Sequence, residues 1–285
     1  MSIMLIGLSI GTLLFLLAAG LTLVFGVLGV INFAHGGYFM LGAYLAYQSI
    51  ETFGSLWAGL PVVILVAGAL GAVQELLTLR PIYRLPHAFQ LLSTFGVALC
   101  IEAAVRLVWG YDQKPVNAPP LLANAVELFG INVSSYRLFI IVFGIVVCVL
   151  LFLWIERTRT GLVVRAASTN SDMVACMGFN VNRLRTAVVA GSAALAGLGG
   201  LIAAPLFPVH LGMGKSIIID CFIVVILGGL GNITGAIAAA LMLGLFQAFG
   251  QNYFPDWVQV GVLVLVLVAL MLRPAGLFSQ KERVA

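Results

Sequence analysis

Charge is scarce in this chain, and its scarcity excludes the soluble protein classes. Only 8% of the 285 residues are charged and 62% are hydrophobic, against roughly 25% charged residues in a soluble globular domain. Such a chain cannot bury all its apolar surface inside a water-soluble fold, so we predict that the bilayer is its solvent. The apolar runs are continuous, whereas the strands of a membrane barrel alternate apolar and polar residues over about 10 positions. We therefore expect transmembrane helices.

Patterned cysteines, catalytic motifs and nucleotide-binding loops are also missing. The four cysteines are scattered without a CxxC spacing, so the sequence supports neither a disulfide framework nor a zinc site. The three histidines lie far apart, and the sequence contains no HExxH, GxSxG or GxxxxGK[ST] motif. We predict that this chain is not an enzyme and has no catalytic residue, metal site or cofactor. If transport is active, ATP and Mg²⁺ must bind to another subunit.

Long apolar stretches predict an all-α, polytopic membrane bundle that forms a single domain over residues 1–285. A span needs about 20 apolar residues. Some eight or nine segments, including short or broken ones, fit this description, at roughly 4–30, 36–53, 58–79, 88–110, 136–155, 186–206, 216–230, 233–250 and 257–272. Several contain small residues at four-residue spacing, starting at Gly7, Ser192 and Ala236. Such stripes predict close helix packing in lipid.

The basic residues set the predicted topology. Ten of the 14 lysines and arginines fall on one side of the spans: Arg80, Arg84, Arg157, Arg159, Arg165, Arg183, Arg185, Arg273, Lys281 and Arg283. Loops rich in Lys and Arg stay in the cytoplasm, so this side and the C-terminus are predicted to be cytoplasmic. No cation precedes Arg80, and without a basic n-region we expect no cleavable signal peptide. Because the cations lie in short loops, the net charge of +4 does not indicate nucleic-acid binding.

The polar passage at about 156–185 interrupts this hydrophobic pattern and contains five arginines. We expect it to be a cytoplasmic loop that meets a soluble partner. Good helix formers run from Arg165 to Met177, and Ser168 or Thr169 could cap a helix that ends at Gly178. That helix would lie along the membrane face and present three side chains to the partner: Asn170, Asp172 and Met173. An ordinary basic interfacial loop is the alternative.

Two glycine-rich, polar interruptions, at 29–37 and 227–235, occupy similar places near the two ends of the chain. Each is followed by a similar apolar helix. Paired interruptions of this kind point to a transport pathway in transporters built from internal repeats. Chance similarity between two apolar, glycine-rich helices is the alternative.

Asn32 and His35 stand at the first interruption and are candidates for lining a pathway. Free backbone groups at membrane depth are tolerated only where they face protein or water. A helix starting near Gly36 would direct its positive end into the protein, toward a carboxylate or carbonyl oxygen. The alternative is that Asn32 and His35 cap this helix or bond to a neighbouring one.

Glu102 and Arg106 stand four residues apart in the fourth span. Residues at this spacing face each other on a helix. We expect the two charges to neutralise each other near the outer boundary, with a pathway role as the alternative.

Four motifs follow one another along the chain: Ile31-Asn32-Phe33-Ala34-His35-Gly36, the loop 161–178, Val225-Ile226-Leu227-Gly228-Gly229-Leu230-Gly231-Asn232 and Arg273-Pro274-Ala275-Gly276-Leu277-Phe278. Together they resemble the permeases of branched-chain amino-acid ABC transporters, and the shorter LivH type is the closer match. The resemblance covers nearly the whole chain. Permeases of urea and short-amide importers share the same motif set, so they are the alternative.

This resemblance implies a permease subunit of a bacterial ABC importer in the inner membrane, surrounded by membrane lipid. Its partners would be a second permease, expected to be of the LivM type, two cytoplasmic ABC ATPases and a periplasmic binding protein. The ATPases would bind ATP and Mg²⁺. The binding protein would deliver branched-chain or related hydrophobic amino acids.

The resemblance also implies roles for particular residues. Six are expected to couple the permease to the ATPases: Gly161, Arg165, Asn170, Asp172, Met173 and Gly178. Six are expected to form the substrate pathway at the two interruptions: Asn32, His35, Gly36, Gly228, Gly229 and Gly231. After the His-Gly pair this chain has Gly37-Tyr38, where relatives often carry a carboxylate. An acidic contact to a substrate amino group is therefore left open.

Two other function classes fit a polytopic chain. A passive channel of the aquaporin kind predicts paired Asn-Pro-Ala breaks, and this chain has Asn32-Phe33-Ala34 and Asn232-Ile233-Thr234 instead. A membrane-embedded assembly subunit would have no pathway of its own. Copurification with two ATPases and a second permease would favour the importer.

Overall fold

A computed structural model describes residues 2–128, 131–273 and 276–277, which form a helical bundle. The α-helices in these residues are α1 Ser2–Leu28, α2 Ala34–Phe53, α3 Gly59–Gln74, α4 His87–Trp109, α5 Ser135–Arg157, α6 Arg159–Thr169, α7 Ser171–Cys176, α8 Val181–Ala203, α9 Met213–Gly228, α10 Ile233–Tyr253 and α11 Val258–Leu272. Helix α3 continues as a π-turn, Glu75–Leu79, and a 3₁₀ turn, Arg80–Ile82. The predicted cytoplasmic C-terminus, residues 278–285, lies outside the described residues.

Each predicted membrane segment coincides over most of its length with one of these helices, which confirms the polytopic α-helical fold. Seven helices of the described chain are long and apolar enough to cross a bilayer: α1, α3 with its extension to Ile82, α4, α5, α8, α10 and α11 with the 3₁₀ turn before it. Helices α2 and α9 fill the two remaining segments. Helix α9 has 16 residues, about 24 Å at 1.5 Å per residue, so it is shorter than the roughly 30 Å hydrocarbon core.

Helix α1 is the centre of the bundle. It is buried over most of its length and packs against α10, α8, α5 and α9. Helices α4, α5 and α11 are peripheral, and most of their surface is exposed. These three helices therefore face lipid or a partner chain.

Small residues bring several helix backbones into direct contact, as their spacing predicted. A Cβ at Gly11 of α1 would lie 2.9 Å from the carbonyl oxygen of Ala240 in α10. A Cβ at Gly42 of α2 would overlap the carbonyl of Gly197 in α8. Because lipid provides no hydrophobic drive between helices, such close packing supplies much of their attraction.

The loop after α4 contains a short β-hairpin. Strand β1, Ala125–Leu128, pairs antiparallel with β2, Ile131–Ser134. Upstream, the backbone N–H of Lys114 donates to the carbonyl of Val209 at 2.9 Å, and that of Val209 donates back to Lys114 at 3.2 Å. This loop is thereby tied to the connection between α8 and α9.

Glu102 does not pair with Arg106, so that prediction is wrong. The Glu102 carboxylate binds the Nζ of Lys215 in α9 at 2.8 Å. The Arg106 guanidinium lies over the ring of Tyr111 instead, 5.5 Å from its centroid. The start of α9 supplies a cation from 113 residues away in sequence, a contact that helical spacing within α4 cannot reveal.

Candidate functional site

The first interruption is a tight connection between α1 and α2 that is bonded to α3. Gly29 takes a left-handed conformation, with φ of 66°, which glycine adopts without steric cost. The Asn32 Oδ1 accepts from the backbone N–H of Ala34 at 3.1 Å and from Nε2 of Gln74 at 3.0 Å. Gln74 Oε1 accepts from the Tyr38 hydroxyl at 2.9 Å. All three side chains are buried, so this polar network fixes the connection against α3.

His35 joins three helices inside the bundle. Its Nε2 lies 2.8 Å from the carbonyl oxygen of Leu17 in α1, and because a carbonyl only accepts, Nε2 must carry the proton. Its Nδ1 then accepts from the Ser192 hydroxyl of α8 at 3.3 Å. His35 is fully buried, and within the described residues no three His, Cys, Asp or Glu side chains are grouped to hold a metal ion. Both ring nitrogens are thus used in holding helices together.

Gly36 lets α2 and α9 touch at their first turns. A Cβ at Gly36 would overlap the carbonyl of Gly214. A Cβ at Gly214 would in turn lie 2.6 Å from the Gly36 carbonyl oxygen. The next residue, Gly37, lines a groove between α2, α4 and α9 together with Phe33, so the residues beside Asn32 and His35, and not those two side chains, face open space. A pathway role for Asn32, His35 and Gly36 stays a prediction.

The second interruption has the same local design as the first. Helix α9 ends at Gly228, and Gly229 and Gly231 take left-handed conformations with φ of 91° and 82°. Asn232 then caps α10, because its Oδ1 accepts from the backbone N–H of Gly235 at 3.2 Å. Both interruptions therefore have a helix, a left-handed glycine and an asparagine in the same order before the next helix, in line with their similarity in the sequence.

Contacts place the second interruption beside the end of α1. A Cβ at Gly231 would lie 3.5 Å from Cα of Gly26. The backbone N–H of Leu277 donates to the carbonyl of Leu227 at 2.9 Å, so Leu277 lies against the end of α9. The predicted pathway role of Gly228, Gly229 and Gly231 is not decided by these contacts.

The polar passage forms two short helices, α6 and α7, which we call the basic hairpin (residues 158–180). The predicted single helix from Arg165 to Met177, capped by Ser168 or Thr169, is wrong. Thr158 caps α6 by accepting from the backbone N–H of Gly161 at 3.0 Å. Asn170 caps α7 by accepting from the N–H groups of Asp172 and Met173, at 3.1 and 2.9 Å.

Ser168 and Thr169 do not cap because they already bond within α6. Both hydroxyls donate back to the carbonyl of Arg165, at 2.7 and 3.3 Å, a bonding pattern that serine and threonine often adopt inside helices. The predicted end of the helix is confirmed, since Gly178 follows the last turn of α7 with φ of 88°.

The basic hairpin has an apolar face toward the bundle. Val164, Ala167 and Val174 are buried in a cluster with Val30 of the first interruption and Val188 of α8. Gly161 is also buried, and a Cβ there would overlap the carbonyls of Trp154 and Ile155 at the end of α5. Gly161 therefore lets α6 fold back against α5, and any movement of the hairpin would press on the ends of α1 and α8.

The opposite face of the basic hairpin exposes both polar and large apolar side chains. Asn170 and Asp172 are exposed. Four large hydrophobic residues are exposed beside them: Leu162, Met173, Met177 and Phe179. Arg165 is ion-paired with Glu156 of α5, and both side chains remain about 40% exposed, at 40% and 42%. Exposed apolar residues rimmed by polar ones mark an interaction surface.

A buried carboxylate, Glu75, is a candidate that the sequence reading missed. It is fully buried and pairs with Arg80 at 2.8 Å. Its oxygens also accept from the hydroxyls of Thr186 at 2.7 Å and Tyr83 at 3.0 Å. Burial, followed by the neighbouring carboxylate, raises the pKa of Tyr83, so its hydroxyl stays protonated and donates. An ionisable residue inside an apolar run is the signal that identifies such a site.

Gln74 and Glu75 connect the two predicted sites through α3. Gln74 bonds to Asn32 in the first interruption, while Glu75 bonds to Thr186 at the start of α8, directly after the basic hairpin. The π-turn begins at Glu75, and π-turns often occur at functional positions in helices. Two consecutive polar residues, Gln74 and Glu75, thus connect the first interruption to the start of α8 beside the basic hairpin.

Comparison with known proteins decides the family. Residues 3–271 match the sequence model of the family described as branched-chain amino acid transport system / permease component. The chain belongs to this permease family. It is 31% identical to the high-affinity branched-chain amino acid transport system permease protein BraD of Pseudomonas aeruginosa, over 97% of this chain and 94% of that protein. It is 27% identical to LivH of Escherichia coli, with the same coverage.

Membership confirms the resemblance seen in the sequence. This permease is a multi-pass membrane protein and a transport subunit, not an enzyme. It is also 25% identical to a probable LivM permease protein of Methanocaldococcus jannaschii, over 88% of this chain and 79% of that protein. These matches do not favour a urea or short-amide importer or a passive channel. No solved structure matches the chain.

Proposed function

We propose that this permease carries branched-chain amino acids across the bacterial inner membrane, as one subunit of an ABC importer. Support for the substrate class comes from the names of its relatives, BraD and LivH. The ten cations on the side of the basic hairpin support a cytoplasmic position for that side and for the C-terminus. A periplasmic binding protein would deliver the substrate from the other side.

The exposed face of the basic hairpin supports our proposal that separate ATPase subunits drive this permease. Two cytoplasmic ABC ATPases would bind ATP and Mg²⁺ and dock on this face. Met173 and Met177 are 66% and 70% exposed there, and Asp172 lies between the Asn170 cap and these methionines. Methionine adapts its shape to a partner surface, and nothing in the described chain covers these side chains.

Coupling would pass from the basic hairpin into the bundle by two routes. The first route is the apolar cluster in which Val164, Ala167 and Val174 pack with Val30 and Val188. The Glu75 network ties the start of α8 to α3, and Gln74 continues to Asn32. Packed helices would then shift as bodies and open the pathway alternately to each side.

A second permease would complete the pathway. The peripheral helices α4, α5 and α11 leave broad apolar surfaces exposed, and family members of both the LivH and LivM types match this chain. We therefore expect a heterodimer with a LivM-type chain.

Reconstitution tests the coupling role of the basic hairpin. In proteoliposomes containing all subunits, Met173→Ser, Asp172→Asn and Arg165→Gln should each reduce leucine uptake per ATP hydrolysed about tenfold, since losing one anchor of an interface costs about 1–2 kcal/mol or more. The matched control is Glu156→Gln, which removes the partner of Arg165 but leaves Arg165 in place, and it should keep normal coupling. Wild-type coupling in all three hairpin variants would refute the docking assignment.

A further inference from the structure

An ion pair stands in an otherwise apolar groove between α2, α4 and α9. The Nζ of Lys215 lies 2.8 and 3.0 Å from the two carboxylate oxygens of Glu102. The Lys215 side chain is 60% exposed and that of Glu102 26%. The pair therefore borders open space on one side.

Glu102 lies within the candidate membrane span His87–Trp109 and not at its end. Glu102 is seven residues before the end of α4 at Trp109, which is about 10 Å along the helix. Lys215 follows Gly214, and Gly214 touches Gly36 in the first turn of α2, directly after the first interruption. Charged side chains at such depth face protein or a water-filled cavity and are functional candidates by default.

The remainder of the groove is lined by apolar side chains. They are Phe33, Met40, Phe95, Leu99, Leu211 and Ile218. Phe33 sits at its inner end, where its ring packs edge-on against Phe95, with centroids 6.2 Å apart. The groove thus combines one positive group, one negative group and an aliphatic and aromatic wall.

We propose that this groove is a transient binding site for the zwitterion of a branched aliphatic amino acid. The Lys215 ammonium would receive the substrate carboxylate, the Glu102 carboxylate would receive the substrate ammonium, and the branched side chain would lie against the apolar wall. Two ion pairs then replace one, so no charge is left unpaired, which is the condition for placing charges at this depth. Urea carries no charge to exchange and no aliphatic part to bury.

This inference rests on the proposed function, and one experiment separates the two. The complete transporter would be reconstituted with its binding protein, and ATP-driven uptake of leucine measured first. The transporter would then be trapped during turnover with a diazirine analogue of leucine, illuminated, and its labelled peptides mapped. Label on the segments around Phe33, Met40 and Ile218 is expected, together with a fall in uptake of about tenfold or more for Glu102→Gln and Lys215→Met.

Matched controls make the outcomes distinct. Lys114→Met removes a lysine that lies over the ring of Tyr47, outside the groove, and should leave both labelling and uptake unchanged. If the wild-type transporter takes up no leucine, the proposed function fails. If it takes up leucine but the label falls only outside α2, α4 and α9, or either charge variant keeps wild-type uptake, the zwitterion site alone is overturned.

Discussion

Removing the counter-charge of Glu75 should destabilise the permease more than breaking the ion pair Glu156–Arg165 or Glu102–Lys215. Glu75 is completely buried, while Arg80 is 35% exposed in its side chain. Arg80→Gln leaves a buried carboxylate that accepts from the Thr186 and Tyr83 hydroxyls but has lost its counter-charge. That charge would then be held in an apolar site without its counter-charge, which costs free energy.

The size of this effect follows from the burial of the two partners. Breaking a buried ion pair by removing one partner is strongly destabilising when the remaining charge is buried, and here the remaining charge is the fully buried Glu75 carboxylate. Glu75→Gln keeps the shape and one acceptor oxygen, and the charge it strands on Arg80 can reach water. We expect about 2 kcal/mol for it, within the range of roughly 1.5–3 kcal/mol for a hydrogen bond to a charged group.

Unfolding in mixed micelles measures these differences. The purified permease would be titrated with sodium dodecyl sulfate, and the fluorescence of its four tryptophans followed. Glu156→Gln is the matched control, since it removes an exposed ion pair with Arg165 and should cost less than about 1 kcal/mol. The double variant Glu75→Gln/Arg80→Gln strands no charge and should be more stable than Arg80→Gln.

Two results would contradict this reasoning. A loss in the double variant equal to the sum of both single losses would mean that Glu75 and Arg80 act independently. A loss in Arg80→Gln no larger than that in Glu156→Gln would mean that the Glu75 site is hydrated in solution.

The remaining predictions concern helix packing and orientation. Gly42→Ala should destabilise the permease by about 1–3 kcal/mol, because its Cβ would overlap the Gly197 carbonyl, whereas Gly96→Ala meets nothing within 4 Å and should cause no loss in the same titration. Cys176 is exposed on the basic hairpin. In a permease expressed without ATPases, a membrane-impermeant maleimide should label Cys176 in inside-out vesicles and not in intact cells. Labelling from the periplasmic side would reverse the topology.

The two predicted sites show how far local sequence signals reach. Polar residues between apolar runs located both interruptions, and Gly29, Gly229 and Gly231 there have the left-handed backbone that only a residue without a side chain adopts easily. The end of the second helix of the basic hairpin before Gly178 was predicted for the same reason. The division of the hairpin at Asn170 was not, because Ser168, Thr169 and Asn170 are all acceptable caps, and their hydroxyl or amide bonds depend on the folded geometry.

Long-range partners are what the sequence could not supply. Glu102 has Arg106 one helical turn away, yet it binds Lys215, and Glu75 gathers partners from the end of α3 and from α8. His35 forms hydrogen bonds through both ring nitrogens, to α1 and to α8, and the periodicity of α2 does not reveal these partners.

The sequence by itself determined the solvent, the membrane helices and the family, because hydrophobicity, span length and short motifs are local properties of the chain. Tertiary structure decided which polar groups meet. Inside a bilayer each such group must find a partner among neighbouring helices, and only the packing of glycine against backbone settles which neighbour comes close enough.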